Sequence, residues 1–221
     1  MSNHNILKNL FQGIFVARNI TAMADKVPRV INSKEVGATR WIRLKEMEYL
    51  DVKGDKRQWN MAQRTTKSQE VDAVAIFAKL VGGSMGKGST ILVRQFRPPI
   101  DAYTIELPAG LIDKGETCEN AALRELKEET GYIGKVTDVT KPVCLSPGFS
   151  DEKVAIVSVT VDMEAEENKH PIPEPDEGEY VQTIVVPFED LTKELDTRAS
   201  QGDSIFLGLR SLAIGMDFSR K

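Results

Sequence analysis

Histidine and cysteine are scarce in this 221-residue chain, which has only His4, His170, Cys118 and Cys144. Ser-His-Asp and Cys-His relays need an imidazole beside the nucleophile, but His4 stands near the terminus and His170 in a proline-bearing stretch, so such relays are set aside. Two thiols without a histidine neighbour also make a poor zinc site, and so few cysteines suit a reducing compartment. An excess of basic residues is missing too: 29 Lys and Arg stand against 33 Asp and Glu, for a net charge of -4. Such a balance provides no field to gather nucleic acid. No run approaches the roughly 18 consecutive apolar residues of a membrane-spanning helix. Internal repeats and low-complexity tracts are lacking as well. The glycine-rich residues 82–90 contain no Gly-x4-Gly-Lys-Ser/Thr, so they read as a hairpin loop and not as a phosphate-binding loop. If the chain is an enzyme, carboxylates and a metal must do its chemistry.

The rest of the chain supports one sizeable domain with a small appendage. Residues 1–24 contain no acid, and Ile6, Leu7, Leu10, Phe11, Ile14 and Phe15 recur at helical spacing. This is the pattern of a mitochondrial presequence or of a simple leader ahead of Met23, and the expectation is a cytoplasmic protein with mitochondrial import as the alternative. Residues 1–30 are read as the leader, 31–68 as an N-terminal β extension and 69–221 as the main domain. Alternation predicts strands over 41–50 and 57–66 around a turn at Lys53-Gly54-Asp55, then over 71–77 and 90–96. A helix over 117–131, strands over 136–145, 154–161 and 179–186, and helices over 188–195 and 204–216 follow. Residues 162–178 read as an acidic, proline-bearing loop.

The densest chemistry lies at residues 110–132, where Gly110, Glu116, Arg124, Glu125, Glu128, Glu129, Gly131 and Tyr132 stand at fixed offsets. Helical neighbours three and four apart share a face, so Glu125, Glu128 and Glu129 crowd together and repel. Such a run alone would read as a solvated charged face. The glycines, Arg124 and Glu116 around it point instead to carboxylates gathered for a hard cation, Mg2+ or Mn2+. Gly110 also frees the loop at Pro108-Ala109 for close backbone approach.

The spacing G-x5-E-x7-R-E-U-x-E-E-x-G-U, with U apolar, is identified as that of the Nudix family, Tyr132 replacing the usual last aliphatic. Trp41-Ile-Arg-Leu, Trp59, Arg64-Thr-Thr, Gln95-Phe-Arg97-Pro-Pro, the run from Ile105 to Asp113, and Pro147 resemble its ADP-sugar pyrophosphatase branch, in particular eukaryotic ADP-ribose hydrolases. The resemblance covers roughly residues 39–190. It implies an α/β/α sandwich around a mixed sheet with an N-terminal antiparallel strand extension. It implies metal held by the Ala109 carbonyl, Glu125, Glu128, Glu129 and Glu179, with Arg124 orienting the glutamates and Glu116 tying loop to helix. Glu179 is the implied base, with Glu177 the alternative, on a late loop that closes over substrate. Trp41 and Trp59 would sandwich adenine, one from each subunit of a homodimer with exchanged N-terminal strands. Arg64 and Arg97 would clamp the diphosphate, and Leu111 would contact substrate. Ser146 stands where some relatives of this branch place an acid, so the resemblance does not imply an acidic contact to the distal sugar.

The expected activity is metal-dependent hydrolysis of ADP-ribose, and of other ADP-sugars, to AMP and ribose 5-phosphate. The alternatives are a broader nucleoside-diphosphate or oxidised-nucleotide hydrolase and a non-catalytic ADP-ribose-binding module. The expected partners are a small nucleotide-sugar substrate and a second copy of the chain, with neither nucleic acid nor membrane.

Overall fold

The computed structural model describes residues 27–66, 70–83 and 88–220. The leader at residues 1–24 and the centre of the 82–90 loop lie outside the described residues. The chain divides into two compact units, one ending at Thr65 and the other beginning at Thr66.

The first unit is an antiparallel meander of β1 (Arg29–Ala38), β2 (Ile42–Leu50) and β3 (Lys56–Arg64). β1 is a strand that the alternation pattern did not single out, and each of its residues is exposed. Asp51 closes the β2–β3 turn: its carboxylate accepts the amide protons of Lys53 and Asp55 at 2.9 Å, and Gly54 takes φ 83°. A left-handed position of this kind favours glycine because a Cβ would clash. Ala62 is the only buried hydrophobic residue described in this unit.

The second unit is built on a mixed sheet of β4 (Ala73–Val81), β5 (Ser89–Arg97), β6 (Ala102–Glu106), β7 (Ala109–Leu111), β8 (Lys135–Val139), β9 (Val143–Cys144), β10 (Lys153–Asp162), β11 (Val181–Pro187) and β12 (Ser204–Ile205). The main path runs β12-β6-β5-β4-β10-β8. β10 lies parallel to β4 and β12 parallel to β6, and the remaining pairs are antiparallel. The stretch expected as one strand over 136–145 is divided into β8 and β9, because Pro142 cannot donate to a ladder.

Three helices cover the sheet: α1 (Cys118–Thr130), α2 (Leu191–Ser200) and α3 (Leu207–Ser219). Leu126, Ala121 and Ala122 of α1 pack on Val74, Ile76, Val157 and Val159, all buried. Leu191 and Leu195 of α2 and Leu209 and Ala213 of α3 pack on Leu92, Ile105 and Val186. Ile91 belongs to the first core and its neighbour Leu92 to the second, since successive strand residues face opposite sides. The result is an α/β/α sandwich. Deleting a side chain such as fully buried Leu126 would cost about 2–5 kcal/mol.

One departure from a regular sheet creates room for chemistry. β4 and β5 pair only at Lys79↔Thr90 and Leu80↔Ser89 before they diverge. Beyond that fork β7 pairs with Ala73, Val74 and Ala75 of β4, while β11 runs the length of β5. Helix α1 contacts both added strands, so the loop at Ala109-Gly110 and the start of β11 come to the same helix.

Candidate active site

Helix α1 starts and stops where local chemistry dictates. The Thr117 hydroxyl accepts the Asn120 amide proton at 3.2 Å as an N-cap, and Gly131 ends the helix at φ 74° with its N–H on the Lys127 carbonyl. Gly131 is doubly required, because a Cβ there would lie 2.3 Å from the backbone nitrogen of Ile172. With its ends set, the helix presents Glu125, Glu128 and Glu129 toward β7.

Arg124 joins this helix to the preceding loop. Its Nε and Nη2 each donate to Glu116 at 3.0 Å, its Nη1 donates to Glu125 at 2.7 Å and to Glu128 at 3.0 Å, and Nη2 also reaches the Leu111 carbonyl at 3.0 Å. The Glu116 carboxylate further accepts the Asp113 amide proton at 3.0 Å, which closes the loop on itself. Chiefly through the Glu116 bond, the guanidinium is held even more firmly protonated than usual. Arg124 therefore has no edge to spare for a phosphate; it sets the direction of two carboxylates.

Glu129 is almost fully buried, at 3% exposure. Its carboxylate accepts the Ala109 amide proton at 3.0 Å. Burial, joined by the charges of Glu125 and Glu179, pushes its pKa up to about 8 despite the Ala109 bond and the pull of Arg97. Burial likewise raises Glu125, against the opposing pull of Arg124, with Glu128 and Glu179 adding to the rise. Glu125, Glu129 and Glu179 thus sense one another's charge, whereas Glu177 lies in an exposed turn.

Gly110 completes the junction. A Cβ there would fall 1.9 Å from Glu125 Cδ and Oε1, so the carboxylate occupies the space that any other residue would fill. Pro108 presents its carbonyl to β4, where the Ile76 N–H meets it at 2.8 Å. By ladder alternation the peptide groups of the next residue, Ala109, turn away from β4, and its N–H reaches Glu129. Its carbonyl is directed to that same side. Hard oxygen donors, buried and mutually repelling around a glycine notch, suit a divalent cation. Among the described residues no three acidic, histidine or cysteine side chains yet converge on one point, since Arg124 and the Ala109 N–H engage the oxygens.

β5 supplies a further wall. Arg97 is held in a fork by Glu106, Nε to Oε1 and Nη2 to Oε2, both at 2.9 Å. Burial would raise Glu106, but the bonds from Arg97 and Thr104 outweigh it and hold the carboxyl below its ordinary range. The Arg97 guanidinium feels Glu129 and Glu179 as well, which puts it beside the acids with its described bonds on Nε and Nη2. Gln95, two residues earlier, donates Nε2–H to Glu179 Oε1 at 2.9 Å. Sequence reading assigned no role to Gln95 or Glu106; the Gln-x-Arg spacing on a strand, which sets both side chains on one face, was the available signal.

The late acidic stretch is not a free flap. Buried Asn168 donates to the Ile133 and Asp162 carbonyls, and its Oδ1 accepts the Ile133 amide proton. The Glu174 N–H caps the Glu128 carbonyl at 2.8 Å, and the Thr183 hydroxyl donates to the Glu129 carbonyl at 3.2 Å. The segment carrying Glu179 is thereby clipped to the last turn of α1 on both sides. Leu111, at 39% exposure, borders a cleft of about 350 Å3 lined also by Thr66, Val71, Asp72, Asp113 and Lys114. Ser146 and Pro147 lie in an exposed turn between β9 and β10.

Trp41, Trp59 and Arg64 belong to the other unit. Trp41 and Trp59 are 57% and 47% exposed, and the Arg40 guanidinium lies 4.4 Å from the Trp41 ring centroid. Met47 pairs with Trp59, Ile42 with Arg64, and the Thr65 N–H donates to the Trp41 carbonyl. Trp41 immediately precedes β2 and Trp59 lies opposite Met47, so the two positions are six residues apart along the sheet, about 20 Å of extended chain. Strand side chains stand roughly perpendicular to the sheet, and each stack spans about 4.5–7 Å between centroids. A spacing of about 20 Å is longer than one base spans between two stacked rings.

Comparison with known proteins bears on this arrangement. The NUDIX domain model matches residues 72–207. The chain is 36% identical over 192 residues to an ADP-ribose pyrophosphatase of Saccharomyces cerevisiae, covering 86% of this chain and 83% of that protein. It is 37% identical over 174 residues to an ADP-sugar pyrophosphatase of Mus musculus, covering 78% and 79% respectively. An uncharacterized Nudix hydrolase of Schizosaccharomyces pombe is 39% identical over 195 residues, 87% of this chain and 94% of that one. Among solved structures, an ADP compounds hydrolase superposes with a TM-score of 0.58 at 21% identity, covering 88% of this chain and 94% of the other, which speaks to the fold.

Proposed function

The chain belongs to the Nudix family, and from that premise we propose that it is a magnesium-dependent pyrophosphatase that hydrolyses ADP-ribose to AMP and ribose 5-phosphate as a homodimer. The observation that carries this reading is Glu129, almost wholly buried and under the charges of Glu125 and Glu179, with the Glu125 carboxylate seated in the Gly110 notch. The yeast and mouse relatives supply the substrate class by their names.

Glu125, Glu128, Glu129, Glu179 and the Ala109 carbonyl would be the oxygen donors for the cation. A divalent cation held by them would supply charge neutralisation at the diphosphate and acidify water. The protein's own groups do the rest. Glu179 takes a proton from the attacking water as its oxygen bonds to phosphorus and the bridging P–O bond breaks. Arg124 keeps Glu125 and Glu128 aimed, and Arg97 and Arg64 meet phosphate oxygens with guanidinium donors. Leu111 adds apolar contact at the mouth of the cleft. Trp41 of one chain and Trp59 of its partner stack on the adenine, each stack contributing about 1–3 kcal/mol.

The homodimer is supported by the first unit itself. Val30, Ile31, Val36, Ile42 and Leu44 are all exposed there, and a three-stranded ribbon with so little buried residue calls for an apolar cover. The separation of the two indoles supports a second copy as that cover.

The test is incubation of purified protein with Mg2+ and ADP-ribose, ADP-glucose, NADH, diadenosine polyphosphates or oxidised dGTP, with products identified by mass. ADP-ribose is expected among the best substrates and to yield AMP and ribose 5-phosphate. A panel in which it is poor would overturn the substrate assignment and leave the family membership standing.

A further inference from the structure

We propose that Gln95 is the positioning residue for Glu179, aiming the carboxylate that receives the water proton; the inference rests on the reading of Glu179 as the base. Glu179 lies just outside regular structure. Gly178 takes φ 87°, the Glu179 N–H closes a turn on the Asp176 carbonyl at 3.0 Å, and β11 begins only at Val181. The ladder therefore does not orient this carboxylate, and a side chain must.

The register brings Gln95 to that task. Val181 pairs with Gln95 in the outermost rung between β11 and β5. Glu179, two residues before Val181, is the diagonal neighbour of Gln95, a separation of about 7–8 Å that long side chains bridge. Gln95 Nε2 indeed donates to Glu179 Oε1 at 2.9 Å, and this is the hydrogen bond to the Glu179 carboxylate found among the described residues. Gln95 is itself anchored from the other side, where it pairs with Thr104 of β6 and the Thr104 hydroxyl lies 3.1 Å from its carbonyl oxygen.

The chemistry of an amide suits this place. It donates a directed N–H to one carboxylate oxygen and leaves the other for water, without adding a positive charge that would compete with a cation for the same acids. Arg97, next but one on the same strand face, already has its fork held by Glu106. The two residues divide the work: Glu106 fixes Arg97, and Gln95 fixes Glu179.

Steady-state kinetics with Mg2+ and ADP-ribose on Gln95→Leu, Glu179→Gln and the double variant test this, with circular dichroism and Tm recorded for each. Small displacements of a reacting group cost heavily in rate, so Gln95→Leu is expected to lower kcat about tenfold with KM within about twofold. In the Glu179→Gln background the same substitution should change kcat by less than about twofold, because residues acting as a unit are non-additive. Gln95→Glu, which sets acceptor against acceptor without altering shape, should lower kcat further than Gln95→Leu. Losses that multiply in the double variant, or a rise in KM with kcat unchanged, would overturn the proposal. Wild-type turnover by Glu179→Gln would instead remove the base reading beneath it, an outcome visible in the single variant alone.

Discussion

In the unit that begins at Thr66, a carboxylate lies where an apolar side chain would be expected: Glu129 is buried, and burial together with the charges of Glu125 and Glu179 pushes its pKa up to about 8. In the unit that ends at Thr65 the reverse holds, and Val30, Leu44, Trp41 and Trp59 stand in the open while every residue of β1 is exposed. The unit that begins at Thr66 has two fully formed cores and can carry buried charge as a cost. The unit that ends at Thr65 has one buried alanine among its described hydrophobic residues and draws no such support from its own strands. Each departure points to something outside the chain, a cation in one case and an apolar surface in the other. Under the proposed function the difference separates chemistry from recognition: the groups assigned to bond breaking are held by an Arg124-centred network, whereas those assigned to base stacking depend on whatever covers the ribbon.

Substituting the acids should affect only the chemical side of that division. Glu129→Gln and Glu125→Gln are expected to lower kcat at least about a hundredfold, because they remove preorganised charge at the reacting centre, with fold and Tm intact by circular dichroism. Turnover close to wild type in either would remove the metal-ligand assignment and the comparison with it. A smaller effect should follow on the recognition side: Trp59→Ala is expected to raise KM for ADP-ribose about tenfold, the value of one lost stack, with kcat within about twofold. A fall in kcat as large as that of Glu125→Gln would mean that the ribbon takes part in the chemistry. The smallest effect is one of pH. Between the ordinary glutamate value of 4.5 and about 8, folded protein keeps a proton on Glu129 that unfolded chain has released, so metal-free protein loses stability as pH rises across that window and not beyond it. A divalent cation competes with that proton. The rise in Tm on adding Mg2+ should therefore be larger at pH 8.5 than at pH 6 by a few degrees, in Trp59→Ala as in wild type; an equal or smaller rise at high pH would exclude Glu129 as a ligand.

Much of the chemical side was legible in the sequence because its determinants are local. Thr117 and Gly131 cap α1 within a residue of the expected helix, and Arg124 meets Glu116 across a spacing of eight residues. The hairpin at Gly54 and the antiparallel rungs joining β4 to β5 follow from turn chemistry and alternation of the same local kind. What was not legible depends on register between distant strands. Glu106 reaches Arg97 only because β6 folds back on β5, and Gln95 meets Glu179 only through the rung at Val181. The exposed β1 lacked an alternation signal because neither of its faces is buried. Composition gave the stretch before Glu179 as an acidic, proline-bearing loop, and the resemblance implied that it closes over substrate; its tethers run to backbone carbonyls of α1, which neither composition nor spacing can register.

Those tethers limit how far Glu179 can travel. Only Tyr180 separates it from the first paired residue of β11, so its Cα stays within about 7 Å of that strand whatever the turn before it does. On its other side the Glu174 N–H holds the chain to the Glu128 carbonyl. A residue on so short a leash cannot serve as a gate that opens to let products go. Under the proposed function, departure of the products is then expected to follow the loosening of contacts to the products themselves, as from an open basin with a fixed post and not from a box with a lid.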